Sequence, residues 1–335
     1  MTVPVTLLAG FLGSGKTTLV RRILHDSHGM RCAVIVNEFG EVGIDGDLIG
    51  RSALRRGGSG DEGAVVELAN GCICCEIQDD LRTTLLNLVP GDGAAAAASH
   101  RFDRVLVEAS GAASPGPAVQ TFLIDGVLQS RVRLDRVVTM VHAGLIEHLL
   151  EETVEAEAQV AYADRIVLNH VDRVEAKEAE RLTALLGELN PLARVRAAEQ
   201  ADVPLDWIFG EVGSQPLGER ARPAVGASPQ AAKHTPGLRS VSLVAPGPVN
   251  VDGLVIWLEF LSKRRSHELM RAKGVVAAAS SGGREKGLEI QGVYRWLEVT
   301  EASGEPPHES RLVLIGRDLD EAEIRRGWAA VSAVT

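Results

Sequence analysis

Residues 3–18, VPVTLLAGFLGSGKTT, run from an apolar stretch through a glycine-rich turn into a lysine and two threonines. Gly10, Gly15, Lys16 and Thr17 fit G-x-x-x-x-G-K-[ST], the phosphate-binding loop of P-loop proteins. The pattern constrains the fold because it works only between a strand and a helix. The glycines let consecutive backbone N–H groups curl around a phosphate, and the helix that follows adds its N-terminal dipole. Here VPVTLLAG is a short apolar strand, and GKTTLVRRILHD carries Leu19, Ile23 and Leu24 on one helical face. In this mechanism Lys16 reaches the β- and γ-phosphates and the Thr17 hydroxyl binds Mg²⁺.

The same alternation continues. CAVIVNEFG, DRVLVEASG, LDRVVTMVHA and ADRIVLNHVD are apolar strands, and Cys32 is a small core residue of the first of them. DDLRTTLLNLV and EAKEAERLTALLGELN carry helical patterns between strands. Near-continuous apolar strands alternating with helices predict an α/β domain with a mainly parallel sheet covered on both faces. RRGGSGDEG (55–63) reads as a flexible connection and GDGAAAAASH (91–100) as a small-residue insertion. Residues 218–237, rich in Pro, Gly and Ala, have a linker composition. Beyond them come strands at LRSVSLVA, GVVAAAS, LEIQGVYRWLEVT and SRLVLIG and helices at VDGLVIWLEFLSKR and DEAEIRRGWAAV. These predict a smaller α+β domain with an antiparallel sheet. The expected division is therefore 1–217, linker 218–237, and 238–335, in keeping with a 335-residue chain too long for one core.

Net charge is −10, which argues against nucleic acid as a partner. The longest apolar runs fall far short of a membrane span. The opening MTVPVTLLAGF has neither a basic region nor a small-residue cleavage site. The expectation is a soluble cytoplasmic protein without membrane attachment.

Three further patterns carry chemistry. VLVEASG ends an apolar strand in Glu108, followed by Ser110 and Gly111. A carboxylate there can hold Mg²⁺ or orient an attacking water, and Gly111 lets the backbone approach the γ-phosphate. NHVD, Asn169 to Asp172, follows the fifth strand, where GTPases carry N-K-x-D. Asp172 can accept hydrogen bonds from the ring N–H and exocyclic amine of guanine. His170 stands in place of the usual lysine, and an imidazole can stack on a base but does not copy both of the lysine's contacts, to base and to phosphate loop. Finally, three of the four cysteines fall in NGCICCEIQDD: Cys72, Cys74 and Cys75. Thiolates at i, i+2 and i+3 can ligate one ion from a turn, which Gly71 supports. Soft sulfur suits Zn²⁺ and other thiophilic ions. Three ligands leave the site open, as fits an ion that is handed on. A redox pair or small buried residues are the rival readings of the cysteines. NEFGEVGIDGDL (37–48) offers Glu38, Glu41, Asp45 and Asp47 in the place of a GTPase switch loop; any of these carboxylates can complete a metal site or serve Mg²⁺, and Glu38 is the one taken with the cysteines as the candidate metal set.

Together GFLGSGKTT, VNEFGEVGIDGDL, GCICC, VEASG with Pro115, the Asn169/Asp172 pair, RAKGVV, IQGVYRWLEV and LVLIGRDLDEAEI resemble the CobW family of P-loop GTPases, most closely its short YjiA-type branch. The resemblance spans nearly the whole chain. It implies a GTP-hydrolysing metallochaperone or metal-insertion factor that binds GTP or GDP at Gly13, Ser14, Gly15, Lys16, Thr17 and Thr18. It also implies metal at Cys72, Cys74 and Cys75, with zinc, cobalt or iron as cargo in different branches. Two positions depart from the family: His170, and His142 in VTMVHA, where VVDA is common. His234 is the only histidine of the linker, so the His-rich linker of some members is missing. The reading is a GTPase that loads a transition metal, zinc first, onto a client protein, with a homodimer also considered. Its rivals are a cobalt- or iron-inserting maturation factor for an enzyme such as a nitrile hydratase, a redox-sensing regulatory NTPase, and a plain nucleotide-binding scaffold.

Overall fold

The computed structural model describes residues 2–25, 29–36, 64–67, 76–89, 102–210, 237–264, 268–279, 285–302 and 304–332. They group into two compact units. One comprises residues 1–149, 163–183 and 195–212, the other 150–162, 184–194 and 213–335.

The first unit is built on seven strands: β1 (Val3–Gly10), β2 (Cys32–Val36), β3 (Ala64–Glu67), β4 (Arg104–Glu108), β5 (Val132–His142), β6 (Arg165–Asn169) and β7 (Arg194–Ala197). Their order is β3-β2-β4-β1-β5-β6-β7, and every pairing from β3 to β6 is parallel. The apolar runs found in the sequence are these strands. β2 and β4 are buried at every position, as a sheet covered on both faces requires. The helix Lys16–His25 lays Leu19, Val20 and Ile23 on Leu8, Val34, Leu106, Val138 and Val167. Truncating Ile23 to Ala in such a core costs about 2–5 kcal/mol. β3 and β7 were not anticipated. Each has four residues, and β7 is largely exposed along Arg194–Ala197, so no apolar run marks it.

Register decides where the chemistry collects. Leu8 lies opposite Glu108, Val36 opposite Glu108, Gly10 opposite Met140, and His142 opposite Asn169. The ends of β1, β4, β5 and β6 therefore share one edge. The chain leaves β1 toward β2 on one side and reaches β5 on the other, and ligands of open α/β sheets bind at such a switch point.

The second unit has an antiparallel sheet in the order β12-β11-β10-β13-β8. Its strands are β8 (Leu238–Pro246), β10 (Leu269–Ala279), β11 (Glu285–Val293), β12 (Trp296–Glu301) and β13 (Glu309–Arg317). The short β9 (Pro248–Val249) pairs parallel with β10. LEIQGVYRWLEVT, expected as one strand, is a hairpin. Val293 pairs with Trp296 across a two-residue turn in which Tyr294 takes φ 50°. No glycine or asparagine marks that turn, so its sequence continued the strand pattern. Helices Val251–Arg264 and Glu321–Ser332 cover the sheet through Leu254, Leu258, Leu261, Ile324 and Trp328. Helix Val154–Tyr162 belongs to this unit as well: Tyr162 Oη donates to Met270 O (2.8 Å) and Glu157 accepts from Leu238 N (3.3 Å). Among the described residues no helix is long and apolar enough to cross a membrane.

Candidate functional site

The phosphate loop takes its shape from its glycines. Gly10, Gly13 and Gly15 have φ values of 141°, 76° and 104°, which side-chain-bearing residues rarely adopt. A Cβ on Gly10 would also strike the Met140 carbonyl, and one on Gly15 the Asn169 amide nitrogen. Ser14 N–H donates to Phe11 O (3.2 Å), and the helix begins as Leu19 N–H donates to Gly15 O (3.0 Å). Lys16 is buried, and its Nζ donates to Gly10 O (2.8 Å) and Phe11 O (3.2 Å), which holds the ammonium across the loop. Thr17 is half-buried and Thr18 exposed.

Ser14 Oγ is fully buried and has no hydrogen-bond partner among the described residues. A buried hydroxyl inside a loop of N–H groups is a group that a bound phosphate would satisfy. The loop thus fits a nucleotide phosphate. Thr17 and Glu108 offer a hydroxyl and a carboxylate, hard oxygen donors of the kind Mg²⁺ takes.

Glu108 ends β4 with 4% exposure, and the next residue's N–H donates to Leu8 O (2.8 Å for Ala109 N). A Cβ on Gly111 would lie 2.7 Å from Leu12 Cδ2 and 2.9 Å from Leu12 N. The segment after Glu108 is therefore packed directly on the phosphate loop, and only glycine fits at 111.

Asn169 fastens the base-side turn to the same loop. Its buried amide Nδ2 donates to Ser14 O (2.9 Å), and its Oδ1 accepts from Ala201 N–H (2.9 Å). His170 follows with φ 62°, and its Nε2 lies 3.2 Å from Gly13 O. Of the two contacts expected of a lysine at this position, the one to the phosphate loop is made here by the imidazole. Asp172 is exposed in the 3₁₀ turn Val171–Arg173. The His142 ring stacks on His170, with centroids 4.3 Å apart and planes 29° apart. Burial pushes the His142 pKa down, and the nearby His170 and Arg173 act in the same direction.

Lys16, Thr17, Glu108, Gly111, Asn169, His170 and Asp172 thus stand at the ends of β1, β4 and β6. Cys72, Cys74, Cys75 and Glu38 lie outside the described residues, as do Glu41, Asp45 and Asp47. Among the described residues no group of three or more His, Cys, Asp or Glu is placed to hold a metal. Sequence reasoning found Asn169 by its spacing from Asp172 but missed that it joins two loops. It noted His142 only as a departure; the strand register opposite Asn169 was the signal that could have paired it with His170.

These features define a class: a P-loop nucleotide-binding α/β protein that carries a second, antiparallel α+β unit. Residues 4–197 match the family described as CobW/HypB/UreG, nucleotide-binding domain, and residues 238–332 match the cobalamin synthesis protein cobW C-terminal domain. The chain belongs to the CobW family. It is 36% identical to the zinc chaperone YjiA of Escherichia coli, with 98% of each chain covered. It is 31% identical to the zinc chaperone CobW of Pseudomonas aeruginosa, over 96% of this chain and 89% of that one. The crystal structure of the Zn(II)-bound YjiA GTPase from Escherichia coli superposes with a TM-score of 0.75 at 30% identity, covering 99% of both chains.

Proposed function

We propose that this chain is a GTP-hydrolysing zinc metallochaperone that takes up Zn²⁺ at Cys72, Cys74 and Cys75, with Glu38 as a further ligand, and passes it to a client protein. One observation carries the nucleotide half. The turn that would read the base is tied directly to the loop that would hold the phosphates, through Asn169 to Ser14 O at 2.9 Å and His170 to Gly13 O at 3.2 Å. A single nucleotide can span two loops held in fixed relation, with Asp172 at the guanine end and Lys16 at the phosphates. The zinc half is supported by family membership, by the names of full-length relatives that are zinc chaperones, and by the three-thiol motif.

In this reading Lys16 neutralises charge that develops between the β- and γ-phosphates, and the loop N–H groups fix the phosphate chain. Thr17 and Glu108 would hold Mg²⁺, which supplies charge neutralisation at the phosphate oxygens. Glu38 belongs to the switch-like 37–48 segment and is taken as a ligand with the cysteines, so nucleotide state and metal site are expected to be coupled. The coupling must be reciprocal: if GTP tightens zinc, zinc tightens GTP by the same factor, typically about 5- to 150-fold.

The test is zinc affinity, measured by competition with a chromogenic chelator, in the GDP state and with a non-hydrolysable GTP analogue. Tighter binding with the analogue is expected, and it should weaken as pH falls below the thiol range because the ligands must lose protons. Equal affinities in the two states would leave a metal-binding GTPase and remove nucleotide-controlled delivery. Cys72→Ser/Cys74→Ser/Cys75→Ser with unchanged zinc affinity would remove the metal site itself.

A further inference from the structure

Two imidazoles meet where β5 and β6 leave the sheet. Parallel register sets His142 beside Asn169, which brings the next residue, His170, onto the His142 ring. Each ring is oriented by a bond on one nitrogen. Gly144 N–H donates to His142 Nδ1 (3.1 Å), so that nitrogen is the acceptor. Gly13 O can only accept, so His170 Nε2 carries the proton that it shares at 3.2 Å. The backbone of His170 is left-handed at φ 62°. A non-glycine residue held there costs about 1 kcal/mol or more, and such strain persists where neighbouring contacts fix it. Both rings are half-buried and neither belongs to the core clusters. The pair is therefore a flat aromatic surface with fixed orientation, one residue from the Asn169 tie and two from Asp172.

We propose that His142 and His170 form one stacking platform for the nucleobase. His170 is the ring against which the purine packs, and His142 is a positioning residue that fixes the plane of His170. The proposal rests on the nucleotide-binding reading above. Stacking needs a π face rather than a hydrogen-bond pattern, so the platform holds guanine and adenine alike and leaves discrimination to Asp172. A role limited to bracing Gly13 is chemically different. It would act through the phosphate loop and alter the binding of any polyphosphate, with or without a base.

The experiment titrates pyrophosphate, GDP and ADP into the full chain with Mg²⁺, for the wild type and for His170→Ala, His142→Ala and His142→Phe. His170→Ala is expected to weaken GDP and ADP by the same factor, about tenfold or more, and pyrophosphate, which loses only the brace at Gly13 O, by a much smaller one. His142→Ala should weaken both nucleotides by a smaller, equal factor. His142→Phe keeps a ring but no acceptor nitrogen, and it should restore them. The upfield ring-current shift of the His170 Cε1 proton, present in the wild type and in His142→Phe and lost in His142→Ala, follows the stack itself, and circular dichroism checks that each variant is folded. Pyrophosphate falling in step with GDP would overturn the platform, as would wild-type GDP affinity in His170→Ala or no rescue by phenylalanine. Failure of the underlying reading has a separate signature: a wild type that binds neither GDP nor pyrophosphate.

Discussion

Replacing Asn169 by alanine tests whether the base-side turn and the phosphate loop are one unit. The amide makes two buried bonds: Nδ2 to Ser14 O and Oδ1 from Ala201 N–H, both at 2.9 Å. Ala201 is fully buried, so its N–H would be left without an acceptor, a loss of about 1–3 kcal/mol. The bond released at Ser14 O adds about 1 kcal/mol. The expected destabilisation is about 2–4 kcal/mol, read as the shift in the urea unfolding midpoint by circular dichroism. Because Ser14 belongs to the phosphate loop, GDP affinity should fall as well, by about tenfold for each 1.4 kcal/mol expressed there. Asn169→Asp separates the two bonds. It keeps an acceptor for Ala201 but sets a carboxylate oxygen against the Ser14 carbonyl. Protonated, the same carboxyl can donate to Ser14 O, so its folded pKa should lie above the unfolded value. Sign follows: the bond is present at low pH and lost as pH rises through the raised pKa, so the aspartate variant should bind GDP better near pH 5 than at pH 8, relative to wild type. If Asn169→Ala unfolds within about 0.5 kcal/mol of wild type and binds GDP equally well, the connection does not matter and the reasoning fails.

Lys16→Ala should abolish GTP hydrolysis while circular dichroism shows the fold intact, and turnover like wild type would remove Lys16 from the phosphate site. Wild-type turnover itself should be slow, under about 1 s⁻¹, the range of GTPases that act without an arginine finger. Asp172→Ala should flatten a preference for GTP over ATP that competition binding is expected to put at about tens to several hundred-fold, and equal affinities in the wild type would show that Asp172 does not read the base. Cys32 is buried, and burial pushes its thiol up to about 11, outweighing the opposing pull of Arg104. Maleimide at pH 7.5 should therefore leave Cys32 unlabelled in the native protein and modify it only after denaturation, with mass spectrometry as the readout.

What the sequence disclosed depended on whether a feature is local. The phosphate loop is set by residues no more than seven positions apart, Gly10 to Thr17, so spacing alone located it between its strand and helix. Apolar runs such as CAVIV and RVLVE are buried on both faces and announce themselves. The His142–His170 stack depends on register between strands separated by a whole helical crossover, and no local pattern encodes it. Asn169 was visible as a base-side residue, whereas its bonds to Ser14 and Ala201 join positions 155 and 32 residues away. Helix Val154–Tyr162 has Ala156 to Tyr162 all buried, Glu157 and Gln159 among them, so it shows no amphipathic stripe.

That helix has a consequence for how such a protein can be inherited in parts. It is encoded between β5 and β6, yet Tyr162 Oη bonds Met270 O, the Arg271 guanidinium bonds Tyr162 O, and Glu157 lies 3.6 Å from the Arg317 guanidinium. The chain enters the second unit at Leu150, leaves at Tyr162, returns for Ala184–Arg194 and enters again at Gly213. A gene cut in the 218–237 segment would leave Tyr162 and Glu157 on one product and their partners Met270, Arg271 and Arg317 on the other. Neither product would be a whole module. Exchange of the C-terminal half between related genes is therefore tolerated only where residues 150–162 and 184–194 travel with it or already match it, and the two units are expected to diverge together rather than shuffle.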